Sequence, residues 1–404
     1  MAVCAAIFAA KQQTMAKIEN ITELQGFIRG LGKFTVKRGR KTLYGLINTD
    51  GEIVLEPQPR EIGIYDEKTV LLSDKDRKVW SGMTVLNLED KTECSREHFY
   101  AKKNGLVITY QRGKGQGAID IDGNVVIPHK YRDLCCDDSF NLYFARNRKN
   151  KYGILNSRGE EVLPFEYDDI AFANLGYGSV VTDRICVKQG TDWFIVDRSG
   201  RRLSANRYDE LEQFTQNGYA IFGERRNGHM YYGVINSDED VVIPAQHIEE
   251  GLSWLDRECT RLRSYVCSEN TGFAVQEMAL TLSGEYALKQ WYDKVYDYYQ
   301  GAYIVRPCCE SCLHLNYGVI TEDGNEILPF EFFSIHFRKN FYLACRRGPE
   351  SDYDLNYGLY SLNGDVVLPC EYYWIDVCTD IDRIAVCKDD EWYYVNRRGE
   401  RVLL

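Results

Sequence analysis

The sequence lacks any apolar run near the roughly 18 residues that a membrane-spanning helix needs. Its first segment, MAVCAAIFAAKQQ, is apolar, but no basic residues precede it and it is short for a signal peptide. We therefore expect a cytoplasmic protein without a membrane span, and a secreted or cell-surface location is the alternative. Met15 is a second candidate for the translation start.

Motifs of common catalytic sites are also missing. There is no G-x-S-x-G elbow, no P-loop and no H-E-x-x-H motif. The segment Gly113-Lys114-Gly115-Gln116-Gly117 resembles a phosphate loop only superficially, because no strand-to-helix context surrounds it. We expect a protein that is not an enzyme and has no catalytic residues.

Positive charge is in deficit, since 49 Lys and Arg stand against 60 Asp and Glu, for a net charge of −11. Such a balance argues against a general nucleic-acid or anionic-membrane binder, although a local basic patch can override a global sum. A nucleic-acid partner is therefore not expected.

The 14 cysteines share no common spacing, which argues against a secreted scaffold held by disulfides and favours reduced thiols. One cluster, Cys308-Cys309-Glu310-Ser311-Cys312-Leu313-His314, has metal-ligand spacing. Cys309, Cys312 and His314 are candidate zinc ligands, but a fourth ligand and a second C-x-x-C are missing. The alternative is a hairpin loop with coincidental cysteines and no cofactor.

A repeated unit is the main positive feature of the sequence. KYGILNSRGEEVLPFEYDDI from Lys151 returns as NYGVITEDGNEILPFEFFSI from Asn316 and as NYGLYSLNGDVVLPCEYYWI from Asn356. Anchored on the turn after the aromatic-Gly segment, the repeat predicts ten copies with a period of about 36 to 40 residues. The turn anchors are Gly51, Asp90, Gly123, Gly159, Gly200, Asp240, Gly284, Gly324, Gly364 and Gly399.

Each copy predicts three strands: a short apolar run, the aromatic-Gly strand, and a strand such as Val125-Val126-Ile127. Gly or Asp between the last two strands is typical of a hairpin turn. Proline follows the third strand in most copies, and we expect it to end that strand because it cannot donate to a sheet ladder. An acidic segment such as Glu166-Tyr167-Asp168-Asp169 is expected to form a turn-like exit.

The whole pattern resembles the WG-repeat family, also called KWG repeats, over about residues 34 to 404. Tyr replaces the family's Trp in most clear copies, and Trp193 and Trp392 keep it but lack the following Gly; the Tyr-Gly pairs begin at Tyr44, Tyr152, Tyr232, Tyr317 and Tyr357. The resemblance implies an all-β array with a binding or scaffolding role, found mostly in bacterial proteins, and it carries no common catalytic residue.

The predicted fold is all-β, a tandem array of about ten three-stranded antiparallel repeats that gain stability by stacking. An open, curved array is favoured, since ten blades would exceed the usual 4 to 8 of a propeller. A closed, propeller-like ring is the alternative, and it requires contact between the first and last copies. Residues 1–32, with apolar positions at helical spacing from Ile18 to Ile28, are predicted to form a helical cap on the array of residues 33–404.

Charged residues predict two different rims. The loops between the first and second strands are basic, with Arg38, Arg40, Arg146, Arg148 and Lys149 as candidate anion-binding residues. The exits after the prolines are acidic, and we expect them on the opposite rim. Anion or nucleic-acid binding through the basic rim is one functional alternative, and ordinary solvated loops are the other.

Binding of a protein or peptide partner is the function that the sequence favours. In the irregular seventh copy, WYDKVYDYY places Tyr292, Tyr296, Tyr298 and Tyr299 close together, and exposed tyrosines offer large contact area at low entropy cost. We expect a non-catalytic scaffold that uses a rim or concave face. The competing hypothesis is a metal-binding or enzymatic site in the Cys308–His314 loop.

Overall fold

All regular elements of the described chain are β-strands. A computed structural model of the protein describes residues 18, 20–73, 83–91, 93–96, 99–103, 106–120, 123–137, 142–171, 183–248, 251–256, 258–267, 275–308, 316–348, 355–377, 379 and 381–402. Within these residues the strands form ten small antiparallel sheets, which confirms the all-β repeat fold. No helix among them has the length and apolar character to cross a membrane.

The ten sheets are numbered in chain order, and consecutive strands are neighbours within each sheet. Sheets 1 to 5 contain β1 (Ile21–Ile28), β2 (Leu31–Arg38), β3 (Lys41–Asn48) and β4 (Ile53–Gln58); β5 (Glu61–Ile64), β6 (Thr69–Ser73), β7 (Met83–Asn87) and β8 (Glu93–Arg96); β9 (Phe99–Lys103), β10 (Leu106–Gln111), β11 (Gly115–Ile119) and β12 (Val125–Tyr131); β13 (Asp133–Asp137), β14 (Leu142–Arg146), β15 (Tyr152–Asn156) and β16 (Glu161–Tyr167); and β17 (Asp169–Ile170), β18 (Ile185–Gln189) and β19 (Asp192–Val196). Sheets 6 to 10 contain β20 (Glu210–Leu211), β21 (Tyr219–Arg226), β22 (His229–Asn236) and β23 (Val241–Ile248); β24 (Leu252–Trp254), β25 (Arg261–Cys267) and β26 (Val275–Thr281); β27 (Lys294–Tyr299), β28 (Ala302–Arg306), β29 (Tyr317–Thr321) and β30 (Glu326–Phe332); β31 (Ser334–Arg338), β32 (Phe341–Arg347), β33 (Leu355–Tyr360) and β34 (Val366–Tyr372); and β35 (Trp374–Asp376), β36 (Ile384–Lys388), β37 (Glu391–Val395) and β38 (Arg401–Val402).

Most sheets have one strand more than the repeat predicts, and the extra strand is the acidic exit. The segment after each proline pairs with the apolar run of the following copy, as β17 does with β18 and β31 with β32. The prediction of a turn-like exit is therefore wrong. A sheet thus takes its first strand, here called strand a, from the preceding copy and then adds strands b, c and d from its own.

Proline does not end strand d, which corrects a second prediction. β16 runs through Pro164 to Tyr167. Its register against β15 shifts between the pairs Tyr152–Tyr167 and Ile154–Leu163, so strand d carries a bulge at the proline. A bulge is one of the few places where a sheet tolerates a residue without an N–H group.

The glycine of the Tyr-Gly pair lies where this bulge meets strand c. A Cβ atom on Gly153 would stand 2.8 Å from the carbonyl oxygen of Leu163 and 2.8 Å from the Phe165 ring. The bulged backbone therefore leaves no room for a side chain at this position. The repeat requires glycine here because of close approach.

The turns between strands c and d are capped by the residue that ends strand c. The Asn156 Oδ1 accepts hydrogen bonds from the N–H groups of Arg158 and Glu160, at 2.9 and 3.0 Å. Gly159 follows with a φ of 77°, a conformation that favours glycine. Two copies depart from the predicted anchors: positive φ falls on Glu239 in place of Asp240 and on Lys91 in place of Asp90.

The chain divides into two compact units, Met1–Phe99 with Phe332–Leu404 (unit 1) and Tyr100–Glu331 (unit 2). Within each unit the apolar cores lie between consecutive sheets. Ile154 and Leu163 of sheet 4, for example, pack on Ile185 and Val187 of sheet 5. Both faces of an interior sheet are therefore buried, as the stacking argument requires.

Within unit 1 the first sheet packs against the last. Phe27 lies 5.3 Å from the Tyr394 ring, centroid to centroid, and the Tyr394 hydroxyl donates to the carbonyl of Gln25 at 2.8 Å. The Gly26 N–H donates to the Asp376 carboxylate at 2.9 Å. The open array is therefore the wrong expectation, and the contact that the propeller-like alternative requires is present.

The predicted N-terminal helix is also wrong for Ile21–Ile28, which forms strand a of sheet 1. Leu24 and Phe27 are three residues apart yet both enter the core, because the register of β1 shifts on either side of Leu24. These β-bulges imitate a helical period. Residues 1–17 lie outside the described residues.

The Phe27–Tyr394 contact predicts that Phe27→Ala lowers the free energy of unfolding by about 3–5 kcal/mol, the cost of removing a buried aromatic ring. Ile28→Ala, at the exposed neighbouring position, is the control and is expected to change it by less than about 0.5 kcal/mol. Urea denaturation of the full chain measures both. Equal small effects would contradict the packing of sheet 1 on sheet 10.

The close approach at Gly153 predicts that Gly153→Ala destabilises the protein by about 1–3 kcal/mol, the usual range for forced overpacking. Gly63→Ala is the matched control, because its nearest atom beyond its chain neighbours is Leu71 Cβ at 3.7 Å, an ordinary contact. The midpoint of urea unfolding reports the difference. A Gly153 variant as stable as the Gly63 variant would show that the motif glycine has another cause.

Candidate functional site

One edge of the sheets carries the connections from strand d to the next strand a. At six of these connections one residue, here called the link residue, donates its backbone N–H to a carbonyl of the following strand b. The donors and acceptors are Arg132 to Arg146 (2.8 Å), Asp168 to Lys188 (2.9 Å), Asp209 to Gly223 (3.2 Å), Asp293 to Arg306 (3.0 Å), Phe333 to Cys345 (2.8 Å) and Tyr373 to Cys387 (2.9 Å). These six residues are structurally equivalent, so their side chains can be compared directly.

The link residues share their edge with the basic end of strand b, which corrects the prediction of two opposite rims. In sheet 4, Asp133 at the start of strand a pairs with Arg146 at the end of strand b, and the two side chains form an ion pair. Lys151 contacts the link residue Asp168 at 2.7 Å. Antiparallel pairing of strands a and b brings the two charges together, so much of the basic rim is neutralised locally.

In sheets 9 and 10 the same edge carries exposed aromatic rings. Phe333 and Tyr373 occupy link positions and are 39% and 73% exposed, and Trp374 beside Tyr373 is 49% exposed. The link residues Asp168, Asp209 and Asp293 of unit 2 are acidic. We call Phe333, Tyr357, Tyr373 and Trp374 the aromatic edge.

Tyr357 connects the members of the aromatic edge. Its strand partner is Cys345, whose carbonyl accepts the Phe333 N–H. Burial, with smaller contributions from Cys345 and Tyr373, raises the pKa of the Tyr357 hydroxyl, so Tyr357 lies within electrostatic range of Tyr373. The Arg347 guanidinium lies 4.7 Å from the Phe333 ring, a cation–π distance that helps hold the ring in place.

The predicted tyrosine patch is not a single exposed surface. Tyr292 is 5% exposed and packs in the core between sheets 7 and 8. It holds the place of the buried Tyr167 in sheet 4, directly before a link residue. Comparing WYDKV with EYDDI across the repeats would have identified Tyr292 as a core position.

The other three tyrosines have mixed environments. Tyr296 is 44% exposed and packs edge-to-face on Tyr317 at 6.1 Å. Tyr298 is partly buried against Tyr303, with ring centroids 4.7 Å apart. The Tyr299 hydroxyl accepts a hydrogen bond from the Gln300 amide at 3.0 Å. Tyr296 is therefore the one residue of the four whose ring is widely exposed.

The candidate basic residues fall into two groups. Arg38 lines a cleft of about 340 Å³ beside Glu56 in sheet 1, and Arg40 is exposed in the adjoining turn. Arg146 forms an ion pair with Asp133, and its guanidinium lies 5.7 Å from the centroid of the Tyr152 ring. Arg148 and Lys149 are exposed on the loop between β14 and β15.

The candidate zinc ligands Cys309, Cys312 and His314 lie outside the described residues. Cys308, the neighbouring residue that the structure does describe, is an exposed free thiol. Among the described residues, no group of three or more His, Cys, Asp or Glu side chains is arranged to hold a metal ion.

A cleft of about 550 Å³ lies at the link edge between sheets 5 and 6, with Lys188, Trp193, Asp209, Glu210 and Arg225 in its lining. Its carboxylates have partners: Asp209 accepts the Arg225 N–H at 2.7 Å and Glu210 accepts the Tyr232 hydroxyl at 2.7 Å.

Glu212 also lines this cleft, and its pKa lies well above the usual range of a glutamate. Burial, reinforced by the charge of Glu210 and opposed by a hydrogen bond from the Trp254 indole, raises the pKa of Glu212 to about 7.

This shift predicts a pH-dependent stability that depends on Glu212. The folded state holds the proton more tightly than the unfolded chain, whose Glu pKa is 4.5, so stability is lost as pH rises from about 4.5 to about 7. Glu212→Gln should match wild type near pH 4 and exceed its free energy of unfolding by about 1–3 kcal/mol near pH 8. Urea denaturation across this range tests it, with Glu161→Gln at an exposed position as control. A constant difference at all pH values would contradict the prediction.

Comparisons with known proteins agree with the repeat. The model of the WG containing repeat matches residues 44–58, 117–134, 152–183, 317–348 and 357–392. No curated protein matches the chain.

The solved structures that are similar to this chain are distant in sequence. A eukaryotic initiation factor is similar with a TM-score of 0.48 at 9% identity, covering 92% of this chain and 95% of that one. The β-propeller domain of the Trilobed protease from Pyrococcus furiosus has a TM-score of 0.29 at 7% identity, covering 86% of this chain and 97% of that one.

The five matched regions include the Tyr-Gly strands of sheets 1, 4, 8 and 9, and the capped turn recurs in all four. The bulge of strand d is shared by sheets 1, 4 and 9. These five regions of the chain carry WG-type repeats, with tyrosine in place of tryptophan in most clear copies.

Proposed function

We propose that the protein is a non-catalytic binding or scaffold protein that holds a protein or peptide partner on its aromatic edge. The observation that carries this proposal is the identity of the link residues. In unit 2 the side chains of the acidic link residues accept hydrogen bonds from neighbouring residues. At the same backbone position in unit 1, Phe333 and Tyr373 expose their rings to solvent.

The contrast argues that the rings are not needed to build a sheet. Asp168 accepts bonds from Lys151 and from the Gly190 N–H, at 2.7 and 2.9 Å, and Asp209 accepts the Arg225 N–H. A charged link residue thus satisfies the same connection in sheets 5 and 6. Exposed Tyr, Trp and Phe side chains in this place lower solubility, and exposed apolar patches of this kind usually mark binding sites.

The chemistry of the edge suits a protein partner. Tyr and Trp bury large areas with few rotatable bonds, and they dominate the energetics of protein interfaces. The cations around the edge are largely engaged, since Lys388 pairs with Glu371 and Arg401 with Glu391. A partner would therefore gain mainly from apolar contact rather than from net charge.

A cytoplasmic location is part of the proposal. The buried Cys186 and Cys345 are free thiols. Free thiols in a chain with 14 cysteines are typical of a reducing compartment.

The proposal predicts that Tyr373→Ala with Trp374→Ala loses the partner while the fold remains. The immobilised full chain is used to capture binders under reducing conditions, the captured protein is identified and purified, and its affinity is then measured by titration. We expect the double variant to bind it at least about tenfold more weakly, since two exposed anchors of this kind contribute more than 1 kcal/mol each.

Two control variants separate this edge from aromatic exposure in general. Tyr286→Ala removes an exposed ring away from the link edge, and Tyr296→Ala removes the exposed member of the tyrosine patch of sheet 8. Both are expected to keep the wild-type affinity. Unchanged capture by the Tyr373/Trp374 variant would overturn the assignment, and loss only with Tyr296→Ala would move the site to sheet 8.

A further inference from the structure

A second surface departs from the repeat in unit 2, where charge is inverted at the connection from sheet 3 to sheet 4. The residue before the buried aromatic is a glutamate in three other copies (Glu166, Glu331 and Glu371), but it is Lys130 here. The link residue is Arg132 where sheets 5, 6 and 8 have aspartate. The two positions that are acidic at the connection from sheet 4 to sheet 5, Glu166 and Asp168, are therefore both basic at this connection.

Two neighbouring loops add four more cations to the same edge. Arg112 and Lys114 lie in the turn between β10 and β11, and Arg148 and Lys149 lie in the turn between β14 and β15; all four are exposed. The loops touch, because the Arg148 guanidinium donates to the carbonyls of Gly113 and Lys114 at 3.3 and 2.9 Å. We call Arg112, Lys114, Lys130, Arg132, Arg148 and Lys149 the basic patch.

The basic patch is not neutralised in the way that other link edges are. Within the part of the chain that the structure describes, no carboxylate forms an ion pair with any of the six side chains, while the nearby Asp133 and Asp168 are taken by Arg146 and Lys151. Arg132 contacts the side-chain oxygen of Asn150, which keeps the guanidinium charge available. Burial and the charge of Lys114 lower the pKa of His129, in keeping with a positive local potential.

We infer that the basic patch is a docking surface for an acidic peptide segment of a protein partner. Charge complementarity requires a negatively charged ligand, and the negative charge of the rest of the molecule favours a short one. The net charge of −11 includes these six cations, so the remainder of the chain carries −17. A long polyanion would meet that negative remainder, whereas a short acidic segment feels mainly the patch, because charges beyond about 8–10 Å are screened at physiological salt.

The dimensions of the patch also suit a short peptide. Adjacent sheets pack about 10 Å apart, so loops on two sheets present cations over roughly 20 Å. An extended peptide advances about 3.3 Å per residue, and some six residues therefore cover the patch. Tyr110, exposed at the end of β10, offers an apolar contact beside the charges. This surface belongs to unit 2, and its test is independent of the aromatic edge.

Fluorescence anisotropy with a labelled octaglutamate peptide tests the inference on the full chain. We expect binding at low salt that weakens as salt is raised, and no binding of an octalysine peptide. Lys130→Glu with Arg132→Asp gives the connection the residues that sheet 4 and its link have at Glu166 and Asp168, so the fold has a precedent for it. Lys114→Glu with Lys149→Glu changes the exposed loops instead. Each pair should weaken binding by about tenfold or more.

Lys289→Glu with Arg198→Glu is the control, since it makes the same change in net charge at exposed positions outside the patch. We expect it to stay within about twofold of wild type. Three results would overturn the inference: no octaglutamate binding by wild type at low salt, an equal loss in the control, or tighter binding of an eight-nucleotide DNA single strand with the same dependence on the patch.

Discussion

Every sheet of this protein depends on its neighbours to cover its faces. A three- or four-stranded sheet of two- to eight-residue strands has too little apolar surface to be stable alone. Here the buried side chains of sheet 4 divide between two cores: Ile154 and Phe144 pack toward sheet 5, while Tyr143 and Leu155 pack toward sheet 3. Alternation along each strand distributes the apolar residues to the two sides. The link residues Phe333 and Tyr373 are exposed and are not members of these cores.

Much of this architecture could be predicted from the sequence, because repetition amplifies weak local signals. The apolar runs correspond to strand b in all ten sheets, and eight predicted turn glycines have positive φ. The errors arose where two physical rules compete. Proline usually ends a β-strand because it lacks an N–H group, but at Pro164 a bulge in the strand makes that group unnecessary. Spacing of three residues predicts a helix, but bulges in β1 give Leu24 and Phe27 the same spacing on one face of a strand.

The candidate surfaces were harder to predict, since the sequence shows charge and aromaticity but not which side chains meet. Basic loops and acidic exits are far apart along a copy, and only antiparallel pairing of strands a and b places Arg146 beside Asp133. The informative signal was available in the repeats themselves. At the link position, Phe333, Tyr373 and Arg132 differ from the aspartates of the other three connections. A copy-by-copy comparison at structurally equivalent positions separates the residues that build the fold from those that are free for other uses.

The origin of strand a has a consequence for how the protein can be divided or extended. The sequence copy and the folded sheet are out of phase, because each copy supplies strands b, c and d of one sheet and strand a of the next. A fragment cut at the edges of a sequence copy would start with an uncovered strand b and finish with an unpaired strand. In sheet 1, strand a is Ile21–Ile28, which precedes the first Tyr-Gly copy. Its Gly26 N–H donates to Asp376 and its Phe27 ring contacts Tyr394, both in sheet 10. This segment joins sheet 1 to sheet 10. Shortened versions of the protein that omit it would expose sheet edges that favour association between chains.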